Sequence, residues 1–341
     1  MHDIITGEKR IDIMVIVYIS GNKHPAMKNL LTLIVCLFSC ITFAQQGKAL
    51  FDEGDKLYKE KKFAEALAKF GEAEKSDYKT AELYVLQGNC HINLNNDDAA
   101  IKNYTQALAM EPKYARALYN RGIVYKNNDK FDLAIADFTA VIAADKDHKD
   151  AYATRGAIYA ALNENQKAID DLEAYIKLDA TDANIYALLG ISYGKLDTSK
   201  ATNKKAVDAL SKAIALADNN AVYYYYRGYA YYDLDQRDNA MKDFDKAIAL
   251  RPHYAEAWFE KGNLYLDKKD YDQQIMCYTK ALDAEPNHGN WYYYRGMAYF
   301  EKKDKEKACA DFTKARELGY KNAEQFKSLC ESKGHLLIVT E

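Results

Sequence analysis

The chain has 341 residues, 47 basic and 50 acidic side chains and a net charge of −3 at pH 7. A balance this close to neutral, with both signs interspersed, leaves no basic footprint for nucleic acid and fits an ordinary solvated surface. Neither a Gly-rich phosphate loop nor His-Glu-x-x-His is present, and paired carboxylates could be chosen almost anywhere, so none points to chemistry.

Residues 1–26 carry both charge signs and an apolar patch around Met14, which reads as an over-called start ahead of Met27. Residues 27–44 then run Met27-Lys28-Asn29 into the mostly apolar Leu30–Ala44. A short basic start, an apolar middle and a small residue at the end predict a secretory signal peptide cleaved after Ala44. The run is shorter than the ~20 residues a membrane span takes, so no span is expected in the mature form. Leu37-Phe38-Ser39-Cys40 offers a competing reading, since it resembles a lipoprotein box that would acylate Cys40 and leave a lipid anchor. Either way the protein is expected to be exported, to a bacterial periplasm, outer envelope or the outside. Residues 1–44 hold four basic and three acidic side chains, so the mature chain carries 43 and 47 and a net charge of −4.

From there a fixed period takes over. Gly54, Gly88, Gly122, Gly156, Gly190, Gly228, Gly262 and Gly296 are spaced by 34 residues, except for one step of 38 between Gly190 and Gly228. Four residues before each stand Leu50, Tyr84, Leu118, Tyr152, Tyr186, Tyr224, Trp258 and Tyr292; three after stand Leu57, His91 and then tyrosine in the remaining six. Twelve after comes alanine, or Gln274; sixteen after come Phe70, Tyr104, Phe138, Leu172, Phe244, Tyr278 and Phe312. In the fifth unit Ala206 and Leu210 fill these places four residues late, and Leu196–Lys205 reads as an enlarged turn. Offsets of three and four share one helix face, so each unit is expected to be a helix, a short turn and a second helix, with glycine and alanine letting the two backbones approach. Pro112, Pro252 and Pro286 fall where one unit ends and the next begins. A period of this length marks units that bury their apolar faces only by stacking.

The pattern aromatic–x3–Gly–x2–Tyr, then Ala–x3–Phe, then Pro resembles the tetratricopeptide repeat, and Tyr223–Pro252 matches it nearly throughout. The resemblance covers residues 47–320 as eight repeats, and residues 321–341 are read as a capping helix at Asn322–Ser332 and a tail whose apolar Leu336–Val339 either folds back or frays. It implies an all-α, right-handed superhelical solenoid of antiparallel helix pairs with a concave groove that binds a peptide segment or helix of a partner protein. It further implies that first-helix residues line that groove, here Tyr119, Tyr225, Tyr229, Tyr232, Phe259, Asn263, Tyr293, Met297 and Phe300. The same rings are also placed to pack on neighbouring helices. A carboxylate clamp, which one branch of the family uses, is not expected: Asn89 and Asn120 suit it, but Phe51, Val85 and Thr154 replace its basic residues.

Arg121, Arg155, Arg227 and Arg295 precede their glycines, and sixteen residues on stand Asp137, Asp171, Asp243 and Asp311. Other units change both places together, as in Glu53 with Lys69, so the pairs are expected to be ion pairs within a unit rather than an anion site. Of the cysteines beyond the leader, Cys90, Cys277, Cys309 and Cys330, buried free thiols are the expectation, with Cys309 and Cys330 the pair placed for a disulfide. His91, His148, His253, His288 and His335 are scattered over different units, which fits no metal or cofactor. The reading is thus an exported, non-catalytic binding scaffold; a lipid-anchored structural envelope protein and a non-catalytic subunit of an enzyme are the alternatives. Intact mass of the mature N-terminus is expected to place it at Gln45, whereas an acylated start at Cys40 would overturn the cleavage site.

Overall fold

The computed structural model describes residues 45–331, Thr198 excepted; the leader and the tail Leu336–Val339 lie outside the described residues. All regular structure among the described residues is helical. Eight helix pairs follow one another: α1 (45–59) with α2 (Phe63–Lys75), α3 (Ala81–Asn93) with α4 (Asp97–Met110), α5 (Ala115–Asn127) with α6 (Phe131–Ala144), and α7 (Lys149–Ala161) with α8 (Asn165–Leu178). Then come α9 (Ala183–Leu196) with α10 (Lys200–Leu216), α11 (Ala221–Asp233) with α12 (Arg237–Leu250), α13 (Ala255–Asp267) with α14 (Tyr271–Ala284), and α15 (Gly289–Glu301) with α16 (Lys305–Glu317). The chain groups into two compact units, Met1–Lys146 and Asp147–Glu341. Within each, a first helix packs most extensively on its own second helix and next on the preceding one.

The glycine contact differs in kind from the expected approach of two backbones. A Cβ built on Gly88 would meet the Tyr104 ring at 2.5 Å, and one on Gly262 the Tyr278 ring at 2.5 Å. Gly54 meets Phe70, Gly228 meets Phe244 and Gly296 meets Phe312 in the same way, at 2.7 to 2.9 Å. The residue sixteen positions on, not the alanine, is what the glycine admits. The reason is volume: those rings are at most 1% exposed and need a flat floor on the facing helix. At Gly190 backbone also comes close, the Ala206 carbonyl lying 3.1 Å from the Cβ position.

Seven of the eight first helices end in one motif. Seven glycines are followed seven residues later by a non-glycine residue in the left-handed region: Lys61, Asn95, Asp129, Asn163, Asp235, Lys269 and Lys303, with φ between 56° and 63°. The next amide reaches back to the carbonyl three after the glycine, as Gln236 N does to Tyr231 O at 2.8 Å. This closes the orphan carbonyls of the helix end. The fifth unit departs from it. Asp197 is extended, with φ −159°, and it accepts hydrogen bonds from the Ser199 amide and the Thr202 hydroxyl. With Ser199 as N-cap, α10 begins early, so most of the predicted enlarged turn is an added helical turn at the front of α10.

The four arginine–aspartate pairs form within their units, as expected, each two-pronged. Arg227 donates from Nε to Asp243 Oδ2 at 2.7 Å and from Nη2 to Oδ1 at 2.8 Å, and Arg121, Arg155 and Arg295 hold Asp137, Asp171 and Asp311 at 2.7 to 2.9 Å. The aspartates are each 5% exposed, so these are interior pairs. The third guanidinium nitrogen points backward: Arg121, Arg227 and Arg295 donate at 3.1 Å to Thr105, Ser211 and Thr279 on the preceding unit's second helix. One residue thus joins a pair internally and ties it to its neighbour. Lys261, whose partner place holds Cys277, turns to Asp245 of the preceding unit at 2.6 Å.

The cap also differs from the expected single helix. A 3-10 turn (Lys321–Phe326) precedes the short α17 (Lys327–Glu331). Phe326 lies stacked on Phe312 at 4.1 Å, and a disulfide joins Cys309 of α16 to Cys330 of α17. The free-thiol expectation therefore holds for Cys90 and Cys277, both buried and both pushed up to about 12 by burial, and fails for the other two.

Gly262→Ala is expected to lower stability by ~1–3 kcal/mol, because the Tyr278 ring has nowhere to go. Gly156→Ala, whose nearest neighbours stand at 3.2 and 3.3 Å, is expected to cost distinctly less; equal melting curves for the two would contradict the packing role. Arg227→Leu is expected to cost ~3 kcal/mol by stranding Asp243, and the Arg227→Leu, Asp243→Leu double variant less than the two single losses added. Strict additivity in chemical denaturation would refute the pair.

Candidate functional site

First helices carry the candidate binding face, and their aromatic residues meet different fates. In the N-terminal unit Tyr119 packs its ring on Phe138 at 5.6 Å and lines a cavity of about 520 Å³. Asn89 is the hub there: its Oδ1 accepts from Tyr104 Oη and from Asn120 Nδ2, both at 2.8 Å. The two asparagines that suited a carboxylate clamp are thereby engaged with each other.

In the C-terminal unit the wall predicted from α11, α13 and α15 is narrower than its sequence suggested. Phe259 is sandwiched between Tyr278 and Trp291, at 5.2 and 5.4 Å. Tyr293 contacts Tyr320, Phe312 and Phe326, and Phe300 also meets Phe326. The cap has thus spread over the far end of the aromatic strip, and Met297 between them is half-buried. Tyr232 lies under the Arg237 guanidinium at 3.9 Å, with Arg237 itself bound to Asp235 and Asp267. Tyr225 rests on Tyr226, Phe244 and Tyr254. Tyr229, at 42%, is the most exposed of the nine predicted groove residues.

Beside Tyr229 opens a cavity of about 420 Å³ between α9, α10, α11 and α13, in the size range of ligand pockets. Its lining includes Gly190, Gly194, Asn203, Tyr225, Tyr229 and Glu260. Asn203 is 0% exposed, and neither its Oδ1 nor its Nδ2 has a partner. Burial raises the Glu260 carboxyl above its ordinary value, against the pull of the Asn263 amide at 3.0 Å; Asp233 raises it further. Asp233 is itself raised by burial. Asn263 also accepts from Tyr278 Oη at 2.6 Å, so this residue, predicted to line the groove, positions Glu260 from the core side.

Three of these residues, Gly194, Asn203 and Glu260, escaped sequence reasoning. Gly194 was findable, since its groove position is held elsewhere by Tyr58, Tyr232, Leu266 and Phe300. Asn203 was not, because its burial depends on the added turn of α10.

One nucleophile-elbow spelling does occur, Gly190-Ile191-Ser192-Tyr193-Gly194, but it sits inside α9 with Ser192 1% exposed, whereas an elbow needs a strained strand-to-helix turn. Among the described residues no three metal-ligating side chains cluster, and no helix is long and apolar enough to cross a membrane.

Family profiles described as TPR repeat match residues 88–129 and 228–269, and profiles described as tetratricopeptide repeat match 255–288 and 51–102, 122–183 and 277–322. Among solved structures, the C-terminal part of a TPR repeat-containing protein from Cytophaga hutchinsonii is 21% identical, with 69% of this chain and 95% of that one covered and a TM-score of 0.57. Cut9, in the Cut9–Hcn1 hetero-tetramer of the APC/C, is 18% identical over 83% of this chain and 55% of that one, with a TM-score of 0.53. MamA is 29% identical over 48% of this chain and 94% of its own, with a TM-score of 0.46. The first two similarities concern the fold. No curated protein matches.

Proposed function

The chain belongs to the tetratricopeptide repeat family, and from that premise we propose that it is an exported, non-catalytic interaction scaffold that holds a partner's peptide segment or helix on its first-helix face. The observation that carries the reading is Tyr229, a large aromatic side chain left 42% exposed at the mouth of a cavity between first helices. Half-exposed tyrosines beside a concavity are favoured anchors for protein partners. Tyr225 and Tyr232 flank it on the same helix, and Asn263 stands on the next first helix.

Export is supported by two observations of different kinds. The leader at 27–44 has the composition of a signal peptide, and the Cys309–Cys330 disulfide suits an oxidising compartment. Acylation at Cys40 would place the same scaffold on a membrane surface without changing how the groove works.

Tyr229→Ala is expected to weaken capture of the partner by about tenfold or more, the range of an interface anchor, with helical circular dichroism unchanged. The measurement is recovery from the chain's own envelope fraction by wild type and variant at matched concentration. Equal recovery would remove the groove from consideration. Phe259→Ala is a poorer probe, because it also removes the ring held between Tyr278 and Trp291.

A further inference from the structure

The cavity beside Tyr229 has features that packing alone leaves unexplained. Gly194 sits inside α9, where glycine weakens a helix, and a Cβ there would meet nothing within 4 Å. This sets it apart from the glycines that admit a ring. The space above Gly194 is open because the residue is small, in a groove position that other units fill with Tyr58, Tyr232, Leu266 or Phe300.

Two polar groups on different helices border that space. The added turn of α10 brings in Asn203, fully buried with both amide atoms unpartnered. A buried amide left without hydrogen bonds is costly, so a group that supplies them is favoured. From α13 comes Glu260, with Asp233 of α11 raising its affinity for a proton and Asn263 as its one neutral donor. The basic residues nearby are committed elsewhere or turned to the exposed edge. Arg237 is held by Asp235 and Asp267, and Lys195, exposed at the rim, is not among the groups that act on Glu260. The pocket therefore holds carboxylate and amide acceptors and aromatic walls at Tyr225 and Tyr229, while the cation in its lining, the exposed Lys195, does not act on Glu260.

Resting on the groove reading above, we infer that this cavity takes a lysine or arginine side chain from the partner's segment, its cationic end meeting Glu260 and Asn203 Oδ1. The aliphatic stem then lies between Tyr225 and Tyr229, whose rings also attract the cation. Glu260 and Asn203 present two acceptors from separate helices, which suits a head group with several N–H donors.

The test selects peptides from a phage-displayed random library on the full chain and measures them by calorimetry. The selected sequences are expected to share a Lys or Arg at one position, and its replacement by norleucine to weaken binding at least tenfold. Gly194→Leu fills the cavity and favours the helix; Glu260→Gln removes the buried charge. Each is expected to weaken the same peptide at least tenfold while the melting temperature stays equal or rises, which separates lost binding from lost folding. If the peptides bind, respond to Tyr229→Ala, and yet keep their affinity within twofold in both pocket variants, the pocket assignment is wrong and the groove reading stands. If no peptide is selected, both are overturned. Agmatine binding as tightly as the peptide would make the occupant a free amine and not a protein segment.

Discussion

A ring lying flat on a glycine is the contact on which the rest depends. In most units a buried phenylalanine or tyrosine of the second helix occupies the space that a side chain at the glycine would need. That contact sets how closely the two helices of a pair approach and therefore where every other first-helix side chain points. Dispersion per atom pair is small, but a ring against a helix floor makes many such contacts at once, and they cannot be partly kept if the floor rises. The arginines act at the next level. Each closes its own pair through a buried aspartate, and Arg121, Arg227 and Arg295 also reach the preceding pair through a hydroxyl, so the spacing of these successive pairs is fixed by directional bonds as well as by packing.

The cavity beside Tyr229 follows from departures from this rule. Where a unit keeps to the pattern, as around Phe259 and Tyr293, aromatic residues that resemble binding anchors are drawn into contacts between helices and under the cap. Where the fifth unit breaks it, by losing the left-handed residue after α9 and gaining a turn on α10, the packing opens and leaves a cavity with unpartnered polar groups. Repeat proteins bury a continuous core by repetition; a site needs an irregularity, and this chain has its clearest one between Gly190 and Gly228.

The glycine period, the face that tyrosines share with it and the joint variation of arginine and aspartate were legible in the sequence because each repeats, and repetition exposes a spatial contact even in a single chain. The insertion between Gly190 and Gly228 was visible too, but whether it would coil or turn depended on Ser199 capping a helix, a local choice with nothing to repeat it. The candidate site was less legible than the fold. Tyr225 and Phe259 have the same spacing and composition whether they face a ligand or a neighbouring ring, and only the packing of Tyr254 and Trp291 decides between the two. Glu260 drew no notice because one glutamate among many is silent until burial sets it apart.

A partner is expected on the first-helix face of the helix pairs and not on the opposite one. A photoreactive phenylalanine placed at Tyr229 on α11, compared with one at the exposed Met276 on α14, tests this in the cells that make the protein. A discrete cross-linked species is expected from position 229 and none from position 276. Cross-linking from 276 alone, or equally from both, would contradict it.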